Sequence, residues 1–191
     1  MTIQENTLIL IPARYASTRF PGKPLVDIAG KPMIQHVYEK AVAVSDYVYV
    51  ATDDERIYNA VTAFGGRAVM TSEAHRSGTD RCYEAYTKVR EMLHRSFDVV
   101  VNVQGDEPFI IPEQIESLIV RFEEPAVQIA TVAKPFEKND EIFDPNKVKV
   151  VFSDRRTALY FSRNPIPYCR GVERDAWLAK TPYYKHVGVY A

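Results

Sequence analysis

The chain has 191 residues, of which 46% are hydrophobic and 26% are charged. This composition excludes a disordered or fibrous chain, and the length predicts one main domain over residues 1–191. The 24 Lys and Arg residues nearly balance the 25 Asp and Glu residues, so the formal net charge is −1. We therefore expect no general attraction to nucleic acid or to an anionic membrane, and any anion site must be local.

Cysteine usage and the N-terminus indicate the compartment. Cys82 and Cys169 form neither a Cys-x-x-Cys motif nor a Cys/His cluster with zinc spacing, so we expect free thiols in a reducing environment. The N-terminus has no basic segment, and the apolar run after it is too short for a signal peptide or a membrane span. These features predict a cytoplasmic protein.

The first predicted element is a short buried strand at residues 8–11, which breaks at Pro12. The loop after it carries three cations, Arg14, Arg19 and Lys23. Ligands of open α/β sheets bind beyond the carboxyl ends of the strands, so a cationic loop there indicates a polyphosphate site. An ordinary connection with solvated charges is the alternative that the residues alone leave open.

Helices and strands then alternate along the chain. A helix follows Pro32, and a strand at 47–51 leads into a second helix for which Thr52 and Glu55 predict a capping box. A strand near 67–70, a helix from residue 82, a strand at 97–103 and a helix from Pro112 follow. This order predicts a doubly wound, Rossmann-like and mostly parallel sheet with helices on both faces.

The alternation of strands and helices ends after residue 122. Strand-like runs at residues 127–133, 148–152, 158–162 and 185–191 have no long helices between them, which predicts a mixed or antiparallel C-terminal part. Because domains rarely stop in a strand, we expect the chain to be cut short after this last run.

Residues 72–81 are a polar stretch before the third helix. From composition alone, the favoured interpretation is a loop and an N-cap built from Ser77, Thr79 and Asp80.

A second candidate site follows the predicted central strand at residues 104–108, Gln-Gly-Asp-Glu-Pro. A carboxylate at this edge of the sheet, near a phosphate-binding loop, is where Mg²⁺ would bridge protein and phosphates. The alternative is a tight turn in which Asp106 caps the next helix. Because several residues separate Asp106 from Pro112, we favour the metal interpretation.

The chain contains neither a Walker A pattern nor Gly-x-Gly-x-x-Gly, which disfavours an ATPase or a dinucleotide-dependent dehydrogenase. Phosphates must then be held by Arg and Lys side chains together with backbone N–H groups.

Five motifs, in this order, resemble the 3-deoxy-manno-octulosonate cytidylyltransferases, also called CMP-KDO synthetases. They lie at residues 11–25, 51–54, 77–81, 102–108 and 160–163. The resemblance implies a nucleotidyltransferase with a nucleotide-diphospho-sugar transferase-like fold. Such an enzyme transfers CMP from CTP to the anomeric hydroxyl of 3-deoxy-D-manno-octulosonate (KDO), giving CMP-KDO and diphosphate for lipopolysaccharide biosynthesis.

The resemblance also implies roles for individual residues. Arg14, Lys23 and Asp106 would be catalytic, with Asp106 binding Mg²⁺. The sugar would be faced by Gln104, Arg163, His186 and Tyr190. The nucleotide would be bound by Pro12, Ala13, Arg14, Arg19, Lys23, Ser77, Gly78, Thr79 and Arg81, which reverses the composition-only interpretation of residues 77–81.

Members of this family continue past the strand that ends at Tyr190, and an Asp-rich turn there supplies a second metal-binding carboxylate. The resemblance therefore implies that the chain lacks the family's C-terminal segment, and it implies a homodimer. Two alternatives stay open: a catalytically incomplete CTP-binding fragment, and cytidylyl transfer to another acidic sugar such as sialate.

Overall fold

The computed structural model describes residues 4–16 and 20–191. They divide into two compact units. The first contains the residues up to Ala130 together with Val189–Ala191, and the second contains Thr131–Gly188. The predicted single domain over residues 1–191 stays a prediction.

The strands of the first unit are β1 (Thr7–Ala13), β2 (Asp27–Ile28), β3 (Lys31–Pro32), β4 (Tyr47–Thr52), β5 (Ala68–Met70) and β6 (Val99–Asn102). Four of them form a parallel sheet with the strand order β5-β4-β1-β6. The short β2 and β3 form a separate antiparallel pair. The helices are α1 (Met33–Val42), α2 (Glu55–Ala63), α3 (Gly78–Leu93) and α4 (Pro112–Ile119). The predicted Rossmann-like, mostly parallel sheet is confirmed.

Strand β1 is the centre of this sheet and is buried on both faces. Leu8 and Leu10 pack with residues of α3 such as Ala85 and Val89. Because side chains alternate along a strand, Ile9 and Ile11 point to the opposite face, and both are fully buried as well. A continuous apolar run is what a parallel strand covered on both sides requires.

The helix starts show one difference from the sequence prediction. The N-cap of α2 is Asp54, whose carboxylate accepts the N–H of Arg56 at 2.9 Å. Thr52 is still in β4, where its hydroxyl accepts the N–H of Asp54, so the predicted capping box is wrong. The strand runs one residue further than predicted, which leaves Thr52 too early to cap the helix. At α3 the predicted N-cap, Ser77, is confirmed.

The second unit contains antiparallel strands and a small core of its own. The strands are β7 (Thr131–Pro135), β8 (Lys149–Phe152), β9 (Ala158–Ser162) and β10 (Tyr184–Tyr190), and the helix is α5 (Trp177–Lys180). Strand β8 pairs antiparallel with β9 and with β10. The core is formed by Phe136, Ile142, Cys169, Trp177 and Tyr183. The predicted strand at residues 127–133 begins later, at Thr131.

Val189 and Tyr190, the last residues of β10, belong to the first unit. There Tyr190 pairs antiparallel with Asn102 of β6. The mixed character of the C-terminal part is thus confirmed. Among the helices formed by the described residues, none has both the length and the apolar character that crossing a membrane requires.

Candidate nucleotide site

A cleft of about 440 Å³ lies in the first unit, where the carboxyl ends of β1 and β6 meet the N-terminus of α3. Parallel strands end at the same edge, so residues far apart in the sequence come together there. Most of the predicted site residues of this unit line the cleft: Pro12, Ala13, Arg14, Lys23, Ser77, Gly78, Arg81, Gln104 and Asp106.

The loop after β1 brings two cations to the cleft. Arg14 follows the strand directly and is exposed. Lys23 begins a short 3₁₀ turn, Lys23–Leu25, after Gly22, whose φ of 74° is the left-handed conformation that favours glycine. The Nζ atom of Lys23 lies 2.7 Å from Oδ2 of Asp106. Arg19, the third predicted cation, lies outside the described residues.

The loop after β6 packs closely against the end of β1. The N–H of Val103 donates to the carbonyl of Leu10 at 3.0 Å. Gly105 is so close to β1 that a Cβ atom there would lie 2.9 Å from the carbonyl oxygen of Pro12. This approach places Gln104 and Asp106 beside the cationic loop.

Asp106 is not the cap of the following helix. The N-cap of α4 is Ile111, and its N–H donates to the side chain of Gln114 at 3.2 Å. The capping part of this alternative is therefore wrong, whereas the tight turn is present, because the N–H of Glu107 donates to the carbonyl of Gln104 at 3.2 Å. Its carboxylate points instead to Lys23, and half of the side chain is exposed.

The acidic part of the cleft can contribute to a metal site. Partial burial and the charge of the neighbouring Asp106 raise the pKa of Glu107, which is not among the described residues that line the cleft. Among residues 4–16 and 20–191, no group of three or more His, Cys, Asp or Glu could hold a metal ion alone. Among the described residues that line the cleft, Asp106 is the carboxylate. One carboxylate can bind a divalent ion only together with other oxygen ligands, such as phosphate groups and water.

The N-terminus of α3 forms another wall of the cleft. The Oγ atom of Ser77 accepts the N–H of Asp80 at 3.1 Å and caps the helix. Ser77 therefore has the structural role that composition predicts and also lines the cleft, as does Gly78. Thr79 is exposed and is not among the described residues that line the cleft.

Arg81 is buried beneath this wall. Its guanidinium donates to the hydroxyl of Thr71 at 2.5 Å and to the carboxylate of Asp53. Only 4% of its side chain is exposed. Because these two partners fix the guanidinium, Arg81 connects α3 to the ends of β4 and β5.

Further residues of the cleft were missed by the sequence analysis: Phe20, Pro24, His75, Arg76 and Gly105. His75 and Arg76 directly precede the predicted residues 77–81, and this position is the signal that could have identified them. The imidazole of His75 contacts the carboxylate of Glu84 on α3.

Glu84 fixes the segment that carries His75. Its carboxylate pairs with Lys88 at 2.7 Å and accepts the N–H of Ser72 at 2.9 Å. These hydrogen bonds, with that of Lys88 the largest cause, lower the pKa of Glu84 to about 2.

Two predicted sugar-binding residues belong to the second unit. Arg163 donates to the carbonyl of Pro145 at 2.8 Å, and its own carbonyl accepts a hydrogen bond from the buried Lys149. His186 forms a hydrogen bond of 2.8 Å with Thr131, and burial lowers the pKa of this histidine. Their role toward the sugar stays a prediction.

The other two predicted sugar-binding residues belong to the first unit. The side chain of Gln104 donates to Asn102 at 3.1 Å at the edge of the cleft. Tyr190 ends β10, and partial burial raises the pKa of its hydroxyl. Tyr190 is not among the described residues that line the cleft.

Comparison with known proteins decides the family. The sequence profile described as Cytidylyltransferase matches residues 8–191. The 3-deoxy-manno-octulosonate cytidylyltransferase of Parabacteroides distasonis is 58% identical over 186 residues, which are 95% of this chain and 72% of that protein. The chain belongs to the cytidylyltransferase family. The resemblance found in the motifs is thus confirmed.

Two further relatives agree with this family assignment. The 3-deoxy-manno-octulosonate cytidylyltransferase of Phocaeicola vulgatus is 58% identical over 185 residues, or 95% of this chain and 72% of that protein. The solved structure of a CMP:2-keto-3-deoxy-manno-octonic acid synthetase complexed with CTP is 48% identical, with a TM-score of 0.83. The match covers 97% of this chain and 73% of that one.

Proposed function

We propose that the chain transfers CMP from CTP to the anomeric hydroxyl of KDO, giving CMP-KDO and diphosphate for lipopolysaccharide biosynthesis. One observation carries the proposal: a single cleft of this cytidylyltransferase brings Arg14, Lys23 and Asp106 to the carboxyl edge of a parallel sheet. These two cations and this carboxylate, brought together in one cleft, suit a triphosphate and its metal ion.

The reaction is an in-line displacement at the α-phosphorus of CTP. The anomeric hydroxyl of the sugar attacks, and diphosphate leaves on the opposite side. Arg14 grips phosphate oxygens with its planar guanidinium, and Lys23 supplies a mobile positive charge for the leaving group. Catalysis then consists mainly of positioning and charge stabilisation, without a covalent intermediate on the protein.

Mg²⁺ would be held by Asp106 together with substrate phosphates. When bound, the ion neutralises phosphate charge and lowers the pKa of a coordinated hydroxyl. Asp106 and Lys23 are already paired at 2.7 Å, so Asp106 is oriented by the same residue that contacts the leaving group.

The remaining predicted residues act on the substrates as follows. For the nucleotide we propose contacts from Pro12, Ala13, Ser77, Gly78 and Arg81, which line the cleft. Arg19 and Thr79 complete the proposed set on the family resemblance alone. Toward the sugar, the family resemblance implies Gln104, Arg163, His186 and Tyr190, and Arg163 is the proposed partner of the sugar carboxylate. A guanidinium is the usual partner for a carboxylate because it offers two parallel N–H donors.

The decisive experiment follows diphosphate release by the 191-residue chain with CTP, Mg²⁺ and KDO, beside CTP binding measured without acceptor. We expect diphosphate release that depends on KDO. CTP binding without KDO-dependent release would indicate a CTP-binding fragment, and faster release with sialate would indicate another acidic sugar as acceptor. Absence of CTP binding would overturn all of these functions.

The cytoplasmic location and the homodimer stay predictions. A solution mass twice that of the chain would support the homodimer, and a mass equal to that of the chain would contradict it.

A further inference from the structure

In the phosphate-binding loop, which follows β1 and carries Arg14 and Lys23, Tyr15 connects the two ends through its backbone carbonyl and through its ring. The carbonyl of Tyr15 accepts the N–H of Gly22 at 2.9 Å. The phenol ring of Tyr15 also packs on Gly22, where a Cβ atom would lie 3.1 Å from three of its atoms. Tyr15 follows Arg14 and Gly22 precedes Lys23, so this contact fixes the spacing between Arg14 and Lys23.

The same ring carries a guanidinium group from another element. The guanidinium carbon of Arg56, in the first turn of α2, lies 3.3 Å from the centroid of the Tyr15 ring. A cation stacked on an aromatic face is attracted by the ring quadrupole, and arginine adds planar packing. The loop is therefore attached to α2 through Tyr15.

Arg56 is itself held in place by the cap of the helix. Its Nε and Nη2 atoms donate to the two carboxylate oxygens of Asp54 at 2.9 and 2.6 Å. This bidentate pair fixes the plane of the guanidinium. Asp54 also caps α2 by accepting the N–H of Arg56, so the contacts run without a gap from the helix N-terminus to the phosphate-binding loop.

We propose that Tyr15 and Arg56 are positioning residues that hold Arg14 and Lys23, at the two ends of the phosphate-binding loop, in place before the nucleotide arrives. The inference rests on the proposed function of Arg14 and Lys23 as ligands of the triphosphate. A loop that is ordered only on binding reduces affinity by the entropy lost at that moment. Tyr15 and Arg56 are not among the described residues that line the cleft. Their effect on the nucleotide must therefore pass through the positions of Arg14 and Lys23.

Kinetics of Arg56→Met test this role, because methionine keeps much of the apolar stem and removes the charge. We expect KM for CTP to rise about two- to fivefold, as an exposed cation–π contact allows, with kcat unchanged. Arg56→Lys should restore part of the affinity. The matched control is Arg90→Met, which removes an arginine 5.7 Å from the ring of Tyr86 on α3 and should leave KM unchanged.

A double variant shows whether the two residues act as one unit. We expect Tyr15→Leu to raise KM for CTP at least as much as Arg56→Met does. Adding Arg56→Met to Tyr15→Leu should then change nothing further, because the stacking partner is already gone. Additive effects of the two substitutions would overturn the shared role. If Tyr15→Leu does not fold, Tyr15→Phe gives the complementary test: phenylalanine keeps the ring, so Arg56→Met should raise KM for CTP in the Tyr15→Phe background as much as in the wild type. An unchanged KM in that background would overturn the stacking role.

Amide hydrogen exchange of the nucleotide-free chain tests the same inference without any turnover. We expect the Gly22 amide to exchange about two- to fivefold faster in Arg56→Met, because its hydrogen bond to Tyr15 opens more often. The Arg90→Met control should exchange at the wild-type rate. An unchanged Gly22 rate in Arg56→Met overturns the inference even if the wild type is active. A wild type that neither binds nor uses CTP overturns the proposed function while the exchange data still decide the positioning.

Discussion

The ammonium nitrogen of Lys23 lies 2.7 Å from Oδ2 of Asp106, although 83 positions separate the two residues in the sequence. They come from the loops that follow β1 and β6, which are parallel neighbours. In the nucleotide-free chain, each charge is thus compensated by the other. A triphosphate and a metal ion together supply new partners for both, so the pair can open without leaving either charge unbalanced.

Asp106→Asn should abolish most turnover while the fold stays intact. We expect kcat to fall at least about hundredfold, because the amide keeps the shape but removes the charge that would hold the proposed metal ion. An exposed ion pair contributes little to folding, so the free energy of unfolding should change by less than about 1 kcal/mol.

Diphosphate release and urea unfolding measure the two effects of Asp106→Asn. The control is Asp46→Asn, an exposed residue just before β4 at the opposite edge of the sheet, which should leave kcat unchanged. Near-normal turnover of Asp106→Asn would remove Asp106 from the metal site.

Gly105→Ala should damage the site through sterics. The added Cβ atom would lie 2.9 Å from the carbonyl oxygen of Pro12 and 3.2 Å from Ile34, so the loop that carries Asp106 must shift. Misplacement of catalytic groups is costly, and we expect kcat/KM to fall about tenfold or more.

Steady-state kinetics of Gly105→Ala need a control that separates displacement from loss of stability. Gly65→Ala adds a Cβ atom where φ is +81° and no atom lies within 4 Å. It should reduce stability by about 1 kcal/mol through backbone strain and leave kcat/KM unchanged. Equal kinetics for the two variants would contradict the steric explanation.

Asp53→Asn should destabilise the first unit. Asp53 is the anionic partner of Arg81, whose side chain is 4% exposed, so the substitution leaves a buried guanidinium without its counter-charge. Breaking such a pair from one side costs about 3 kcal/mol or more. Urea unfolding measures the loss. Glu39→Gln breaks the exposed pair with Lys31 and should cost less than about 1 kcal/mol; a similar loss in both variants would show that burial of Arg81 does not matter.

Glu84→Gln should change how stability depends on pH. The folded-state pKa of Glu84 is lowered from 4.5 to about 2, with the hydrogen bond from Lys88 as the main cause. The carboxylate therefore stabilises the fold fully above the unfolded pKa, and this contribution is lost as pH falls from about 4.5 to about 2.

The stability difference between wild type and Glu84→Gln should accordingly shrink as pH is lowered. Urea unfolding between about pH 3 and pH 6 measures it. Glu91→Gln, an exposed substitution on the same helix, is the control and should show a much smaller change with pH. A constant difference across this range would contradict the assigned hydrogen bonds of Glu84.

The helices and parallel strands of the first unit could be predicted from the sequence because their signals are local. Buried runs such as residues 8–11 and the apolar periodicity after Pro32 depend only on neighbouring residues. The cap at Thr52 was predicted wrongly because element boundaries depend on where strand pairing stops, and β4 pairs with β1 and β5 through Thr52. The sequence offers two polar residues, Thr52 and Asp54, as N-cap of α2, and only the strand pairing excludes Thr52.

For the cleft, the motifs determined which residues are chemically suitable, and the sequence by itself thereby indicated the family and a phosphate-binding loop with Arg14 and Lys23. Only the tertiary structure decided that Lys23 faces Asp106, that Arg81 is occupied by Asp53, and that Tyr15 is stacked under Arg56. These contacts join residues separated by tens of positions. Their geometry follows from strand order and helix packing, which no local pattern of residues encodes.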